Sequence, residues 1–465
     1  MIPRLTPRTG RTARPSHTGF DRRLIAPMVL GSVLNPVNSS MIAVALVPIG
    51  VAFGAPPAET VWLVSALHLA TAVGQPVIGR LVDTYGPRPL YLTGTALVGV
   101  AGLLGALAPS LGALIAARVL LGFGTSAAYP AAMRLTRAEA ERTGQDSPAG
   151  VLAALAVAAQ TVAVAGPALG GLLIGLGGWR AVFTVNVPLS AACLVLGALR
   201  LPRIPPPRGG RRSVDLPGMA LFAAVLVTLM LFLMGPRVDR WYLPPLAAAA
   251  AAAFARRELR TPDPFIDLRV LGGNGPLLAT YLRQLLAYTT SYAFMYGYTQ
   301  WLEQGRGLSA ATAGLVLLPL SATALAVSAL TGRREAVRAK LLTGSALQIA
   351  GSAALLLVGA DSPAWLLLGV GALLGVPQGL VGLAAQNALY RQADPARIAS
   401  AAGLLRTSMY LGALGASAAT AAFYPHRADT AGLHGLALFM LAGSALLLAT
   451  TLPDRSLGRL TPRKA

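Results

Sequence analysis

"GRLVDTYGPRPLYL", residues 79–92, is a short polar turn between two long apolar runs. Gly79 permits close helix contact and Gly86 a tight turn. Asp83 can cap or pair at a helix end, while Arg80 and Arg88 place positive charge where the two runs meet. The runs themselves, 60–79 and 90–108, contain no Asp, Glu, Lys or Arg. Each is about 20 residues, the length of helix that crosses a bilayer core.

The same pattern repeats along the chain. Of 465 residues, 55% are hydrophobic and 12% charged, too little polar surface for a soluble protein of this size. Spans are predicted at 24–48, 60–79, 90–108, 112–133, 149–175, 180–199, 217–235, 241–255, 275–299, 310–331, 340–360, 363–388, 398–423 and 432–452, fourteen in all. The reading is an all-α polytopic membrane protein whose solvent is lipid. A net charge of +21 would suggest nucleic acid in a soluble chain. Here most of the 38 Lys and Arg residues fall in alternate loops and the two tails, so no nucleic-acid partner is expected. The positive-inside rule then puts both termini in the cytosol of a multi-pass protein of the cytoplasmic (inner) membrane. Residues 1–22 carry Arg4, Arg8, Arg11, Arg14 and Arg22 without a compact apolar core, as in a cytosolic tail before an uncleaved span. Cys193 is the one cysteine, which excludes an intrachain disulfide.

Polar residues within spans carry the functional reading, because lipid tolerates them only where they meet a partner or a cavity. Asn35, Asn38 and Ser39 share one face of the first span and are expected to look into a water-filled cavity. In the ninth span Tyr281, Gln284, Tyr288, Tyr292 and Tyr296 recur every three or four residues. That face is either interhelix packing or a wall offering rings and hydroxyls to an amphipathic substrate. Arg118, Arg283 and Arg406 lie within spans; Arg283 is close enough to an end to snorkel. No acid falls at a span centre, so the proton candidates are His68 and the rim acids Glu59 and Glu303. No Cys/His ligand set, paired intramembrane carboxylates or nucleophile–His–acid constellation supports an enzyme, a metal or a cofactor. Nothing reads as a P-loop.

Beside the 79–92 turn stand "LIAARVLLGFGTSAAYP" (114–130) with Arg118, "AVAGPALGGLLIGLGGWRAVFTVNVP" (163–188), "LEQGRGLSAATAGLVLLP" (302–319) and "GLLRTSMYLGALG" (403–415). In this order and spacing the chain resembles the major facilitator superfamily, within it the fourteen-span drug:proton antiporters. The resemblance covers nearly the whole chain. It implies a cytosolic tail (1–23), a six-helix bundle (24–199), a linker (200–216), two peripheral inserted helices (217–255), a loop (256–274), a second six-helix bundle (275–452) and a cytosolic tail (453–465). It implies alternating access around one central site. Carried onto this chain, a gating latch falls on Gly79, Arg80, Asp83, Gly86 and Arg88. The export motif falls on Gly166, Pro167, Gly170 and Gly171, and proton movement on Arg118. The acid usual in span one is Asn38 here, and the glutamine usual in span four is Leu121. The second-half gating loop is shortened to "GRREAVRAK".

Together these readings describe a monomeric secondary transporter that exports an amphipathic organic compound or drug with proton coupling. The expected cavity set is Asn35, Asn38, Ser39, Arg118, Gln284, Tyr288, Tyr292 and Arg406. With arginines and no acid at depth, neutral or anionic compounds are expected over permanent cations. A facilitator permease for uptake and a non-transporting membrane sensor are the alternatives.

Overall fold

The computed structural model describes residues 20–42, 45–55, 57–60, 62–144, 149–204, 215–233, 240–262, 264–266, 268–308, 310–332, 334, 336–424, 428–454 and 456–459. Among these residues there is helix and no strand. In chain order the principal helices are α1 (Ile25–Met41), α2 (Leu46–Phe53), α3 (Trp62–Tyr85), α4 (Pro87–Ala106), α5 (Leu111–Thr125), α6 (Ala128–Thr143), α7 (Ala149–Gly177) and α8 (Asn186–Arg200). They continue as α9 (Leu216–Leu233), α10 (Leu243–Arg260), α11 (Gly275–Ala293), α12 (Ala310–Thr331), α13 (Val337–Leu355), α14 (Ala364–Gln392), α15 (Ile398–Phe423) and α16 (Thr430–Thr451). Seven helices among the described residues are long and apolar enough to cross a membrane. The first and fourth predicted spans are each divided, between α1 and α2 and, at Ser126–Ala127, between α5 and α6.

The turn at 79–92 forms as its residues dictate. Gly86 sits at φ 91°, a conformation that disfavours any side chain, and Pro87 opens α4 with φ already set for a helix. Arg88 donates to the Ala198 carbonyl at 2.7 Å, tying the start of α4 to the end of α8.

The helices before residue 200 pack mainly on each other, as do those after 275: α1 against α7 and α3 against α5 in the first group, α12 and α13 against α14 in the second. The groups meet where α3 crosses α15 and α7 crosses α12. The end of the bundle that bears Arg80, Arg88, Arg134, Arg137 and Arg142 is here called the arginine-rich end. There the buried clusters mix both groups: Tyr129, Met133 and Leu152 pack with Leu277, Leu389 and Leu405. At the opposite end each cluster stays within one group. Ile49, Leu63, Leu114 and Trp179 form one, and Tyr298, Trp301, Val358 and Leu433 form the other. The described halves are therefore sealed together at the arginine-rich end and unjoined by any buried cluster at the other.

Helices α9 and α10 pack on each other, and α9 also reaches α3 and α15. Phe222 and Leu226 of α9 join Ala72 and Val73 of α3 and Met409 of α15 in one cluster. Of the two helices expected at the periphery, α9 thus touches both groups, while α10 packs on α9.

Candidate functional site

The polar face of α1 divides between two surroundings. Asn38 is 2% exposed and makes a reciprocal amide pair with Asn186 of α8. Its Nδ2 donates to Asn186 Oδ1 at 2.6 Å, and Asn186 Nδ2 donates to Asn38 Oδ1 at 2.9 Å. An amide carries both donor and acceptor, so two amides satisfy one another where a carboxylate could only accept. Asn38 is thus placed inside a helix interface and not on the open face expected of it. Asn35 looks elsewhere. Its Nδ2 donates to Thr125 at 3.0 Å, and its Oδ1 accepts from the Tyr410 hydroxyl at 3.2 Å. Ser39 donates to the same oxygen at 3.4 Å. The Asn35–Tyr410 bond joins α1 to α15 and so crosses between the groups.

The three span arginines have three different fates. Arg118 is 1% exposed; its Nε donates to the Leu63 carbonyl at 2.8 Å and its Nη1 to the Asn38 carbonyl at 3.1 Å. It is held by backbone inside the first group and closed off from open space. Arg283 reaches toward the chain's C-terminal segment, donating to the Thr450 carbonyl and pairing with Asp454 at 2.7 Å. Arg406 stands between the groups, its guanidinium carbon 4.1 Å from the centre of the Tyr129 ring. The groups that face its charge are the phenols of Tyr129, Tyr288, Tyr410 and Tyr292, with no carboxylate among them.

The tyrosine face of α11 is present, but its residues part company. Tyr288, Tyr292 and Tyr296 form a ladder with ring centres 5.9 and 5.5 Å apart. Tyr281 donates to the Ala401 carbonyl at 3.1 Å and belongs to the packing between α11 and α15. Gln284 is 4% exposed, and its Oε1 has no hydrogen-bond partner among the described residues. A π-helical turn at Phe294–Tyr298 follows, rotating the register of the helix. It sends Phe294, Tyr298 and Trp301 into a second stack, with centres 4.8 and 5.8 Å apart, inside the second group. His68 of α3 lies beside this layer, its ring 5.8 Å from Tyr410. Glu59 is exposed at the opposite end. The side chain of Glu303 lies outside the described residues.

Asp83 closes the arginine-rich end. Its carboxylate, 1% exposed, accepts from Ala399 N at 3.1 Å, from Ser400 N at 2.8 Å and from the Ser400 hydroxyl at 2.6 Å. These are the free N–H groups of the first turn of α15, so an acid on α3 caps a helix of the other group. Gly79 makes this possible. A Cβ there would lie 2.5 Å from the Ala399 carbonyl oxygen. Arg134 adds a bond to the Pro395 carbonyl at 3.2 Å, and Arg137 lies over the Tyr390 ring. Arg80 is buried at the same end, within the electrostatic reach of Glu258 on α10. In α7, Gly166 packs against Ser40 of α1, Gly170 is buried and Gly171 is exposed. The side chain of Pro167 lies outside the described residues.

Sequence reasoning missed Tyr129, Asn186 and Tyr410. Asn186 stood inside the quoted 163–188 segment, and Tyr410 falls four residues after Arg406, one turn along the same helix. Tyr129 carried no signal beyond being an aromatic within a span.

The profile of the Major Facilitator Superfamily matches residues 28–417. An uncharacterized MFS-type transporter, YwoD of Bacillus subtilis (strain 168), is 31% identical over 432 residues, covering 90% of this chain and 94% of that protein. The cephamycin export protein CmcT of Amycolatopsis lactamdurans is 31% identical over 480 residues, covering 97% and 96%. Among solved structures, the human organic anion transporter MFSD10 (TETRAN) superposes with a TM-score of 0.65 at 17% identity, covering 95% of this chain and 99% of that one. At that identity the likeness is one of fold.

Proposed function

Because this chain belongs to the Major Facilitator Superfamily, a family of membrane transporters, we propose that it exports an amphipathic organic compound from the cytosol by alternating access, in antiport with protons. In this reading fourteen spans form two six-helix bundles with α9 and α10 inserted between them, and the arginine-rich end faces the cytosol. The chain acts as a monomer in the cytoplasmic membrane. The substrate site is the layer of Asn35, Ser39, Gln284, Tyr288, Tyr292 and Arg406. Arg118 and Asn38 serve as its buried support. The name of the CmcT relative, a cephamycin export protein, favours export over uptake.

The observation that carries the reading is the Asp83 cap on α15. A polar layer at mid-depth is closed off on one side by a bond set that joins the two groups and can be broken without unfolding either. Capping is worth about 1 kcal/mol, and 1.4 kcal/mol is a factor of ten in a population ratio. Losing the cap therefore shifts the balance of access states several-fold while leaving each group of helices intact. His68, beside Tyr410, is the internal proton candidate in this scheme, with Glu59 and Glu303 at the rim.

The test compares the unmodified chain with Asp83→Asn in energised inside-out vesicles. Substrates are drawn from a comparative metabolite profile of cells with and without the protein. The reading predicts uphill uptake into the vesicles, abolished by a protonophore, and several-fold slower in Asp83→Asn at equal membrane abundance. Uptake that ignores the proton gradient, or full activity of Asp83→Asn, would contradict coupling and latch respectively.

A further inference from the structure

Three arginines lie within predicted spans, and two of them donate to oxygen acceptors, though Arg118 Nη2 and Arg283 Nε and Nη1 have no partner among the described residues. Arg118 has two backbone carbonyls, and Arg283 has Asp454 and a carbonyl. Arg406 has none of this kind among the described residues. Its Nη1 meets the Met409 thioether at 3.8 Å, a weak acceptor, and its guanidinium carbon lies 4.1 Å from the centre of the Tyr129 ring. A guanidinium presents five N–H donors in a planar fork, matched to a carboxylate or sulfonate. Arg406 is only partly buried, unlike Arg118 and Arg283, so its fork is open to an incoming group.

The neighbours add donors and no negative charge. The Tyr129 hydroxyl is buried, 4% exposed as a residue, and has no hydrogen-bond partner among the described residues. Tyr288 and Tyr292 face the same guanidinium, and Tyr410 already gives its hydroxyl to Asn35. A phenol can donate to an anion and offers a flat apolar ring beside it. The ladder of Tyr288, Tyr292 and Tyr296 continues that ring surface away from Arg406.

We infer that Arg406 and the Tyr129 hydroxyl form an anion subsite, and that the transported compound is an amphipathic organic acid. Its carboxylate or sulfonate sits on Arg406 while its aromatic or apolar body lies along the α11 tyrosines. This rests on the transport reading above and narrows it to a substrate class. No carboxylate faces Arg406, so an anion that sheds its water there gains a counter-charge, whereas a permanent cation would meet like charge. Arg406 stands on α15 and Tyr129 on α6, so an anion held by both touches both groups.

The test uses the full chain in lipid nanodiscs and three xanthene dyes of one ring system: a carboxylate fluorescein, its neutral methyl ester ether, and a cationic rhodamine. Binding is read by fluorescence anisotropy and transport by dye uptake into energised vesicles. The anionic dye is expected to bind about tenfold or more tighter than the cation. Arg406→Gln should weaken the anion about tenfold, to the level of the neutral dye, and leave the neutral dye unchanged. Arg406→Lys should recover part of the loss, and unchanged neutral-dye binding shows that each variant is folded. Preference for the cation, equal loss of all three dyes, anion binding indifferent to Arg406→Gln, or no binding of the anion would each overturn the assignment. Dyes that are transported without dependence on Arg406 would overturn it and leave the export reading standing. Arg406-dependent binding of the anion without transport of any dye would do the reverse.

Discussion

Asn38 shows how one side chain can be legible and yet misplaced. Its spacing from Asn35 put both on one helix face, which the structure retains, but its partner is Asn186, 148 residues away in sequence. Nothing in the local pattern distinguishes an amide that faces a cavity from one that faces another amide. The pair explains why an amide occupies the position. Aspartate there would confront Asn186 while the Asn38 backbone carbonyl already engages Arg118. Interhelical hydrogen bonds in membranes average about 0.6 kcal/mol each, so the reciprocal pair contributes about 1 kcal/mol. We predict that Asn38→Ala and Asn186→Ala each lower the thermal midpoint, and that the double variant is no worse than the more damaging single one. Additive losses in a thermal-shift measurement would show that the two amides do not act as a unit. Arg283 was read as near enough to a helix end to snorkel; in the structure it is buried instead and pairs with Asp454 at 2.7 Å.

At the scale of elements, the helices were legible because their composition and periodicity are local. What was not legible is how they are interrupted and where they dock. The π-turn at Phe294–Tyr298 adds a residue to one turn, and its aromatics divide between two stacks, Tyr296 with Tyr292 and Phe294 and Tyr298 with Trp301, a division that no helical template anticipates. The docking of α9 and α10 was equally hidden. Their arginine-rich ends are joined by Arg257, which pairs with Asp215 at 2.7 Å, and Glu258 Oε2 accepts from Ile266 N at 2.8 Å, tying the segment after α10 back to that helix. Asp215 Oδ2 and Glu258 Oε1 both lie against Gly218, and neither has a hydrogen-bond partner among the described residues. Burial, helped by nearby Asp215, pushes the Glu258 carboxyl up to about 7 against the opposing Ile266 N–H, Arg257 and Arg80. Arg257 and the Gly218 N–H outweigh burial at Asp215 and hold its carboxyl below the usual range.

The sign follows from linkage. A carboxyl raised on folding contributes its stability below its ordinary value of 4.5, and that contribution is lost as pH rises through about 7. Asp215, shifted the other way, contributes above its ordinary value of 3.8 and adds no loss in that window. We predict that the thermal midpoint of the purified chain falls by on the order of a few °C between about pH 5 and pH 8. Glu258→Gln retains an acceptor for Ile266 and should flatten that slope. A slope unchanged in Glu258→Gln would assign the pH dependence to another group.

For the whole molecule, the order of apolar runs and basic turns carried the all-helical architecture, and the alternation of arginines underlies the proposed orientation. The conformational state was not legible, because it depends on which ends of the two groups touch. Orientation has its own test. With Cys193 replaced, single cysteines at Gly54 and Pro453, both exposed, should divide by side: an impermeant thiol reagent on intact cells labels position 54 and spares position 453. Labelling at 453 would invert the proposed topology and turn the sealed end outward.

In the proposed cycle the two groups of helices rock about the Arg406 layer, with the Asp83 cap closing one side. Spin labels at Glu141 and Arg334 report the arginine-rich end, and labels at Leu107 and Leu357, which are 69% and 75% exposed, report the opposite end. Double electron–electron resonance in nanodiscs then measures both separations in the Cys193→Ser background. The account predicts two distance populations for each pair, shifting in opposite directions, with Asp83→Asn enriching the form that is wider at 141/334 and narrower at 107/357. A single distance at both ends, unmoved by Asp83→Asn in protein that still transports, would contradict it.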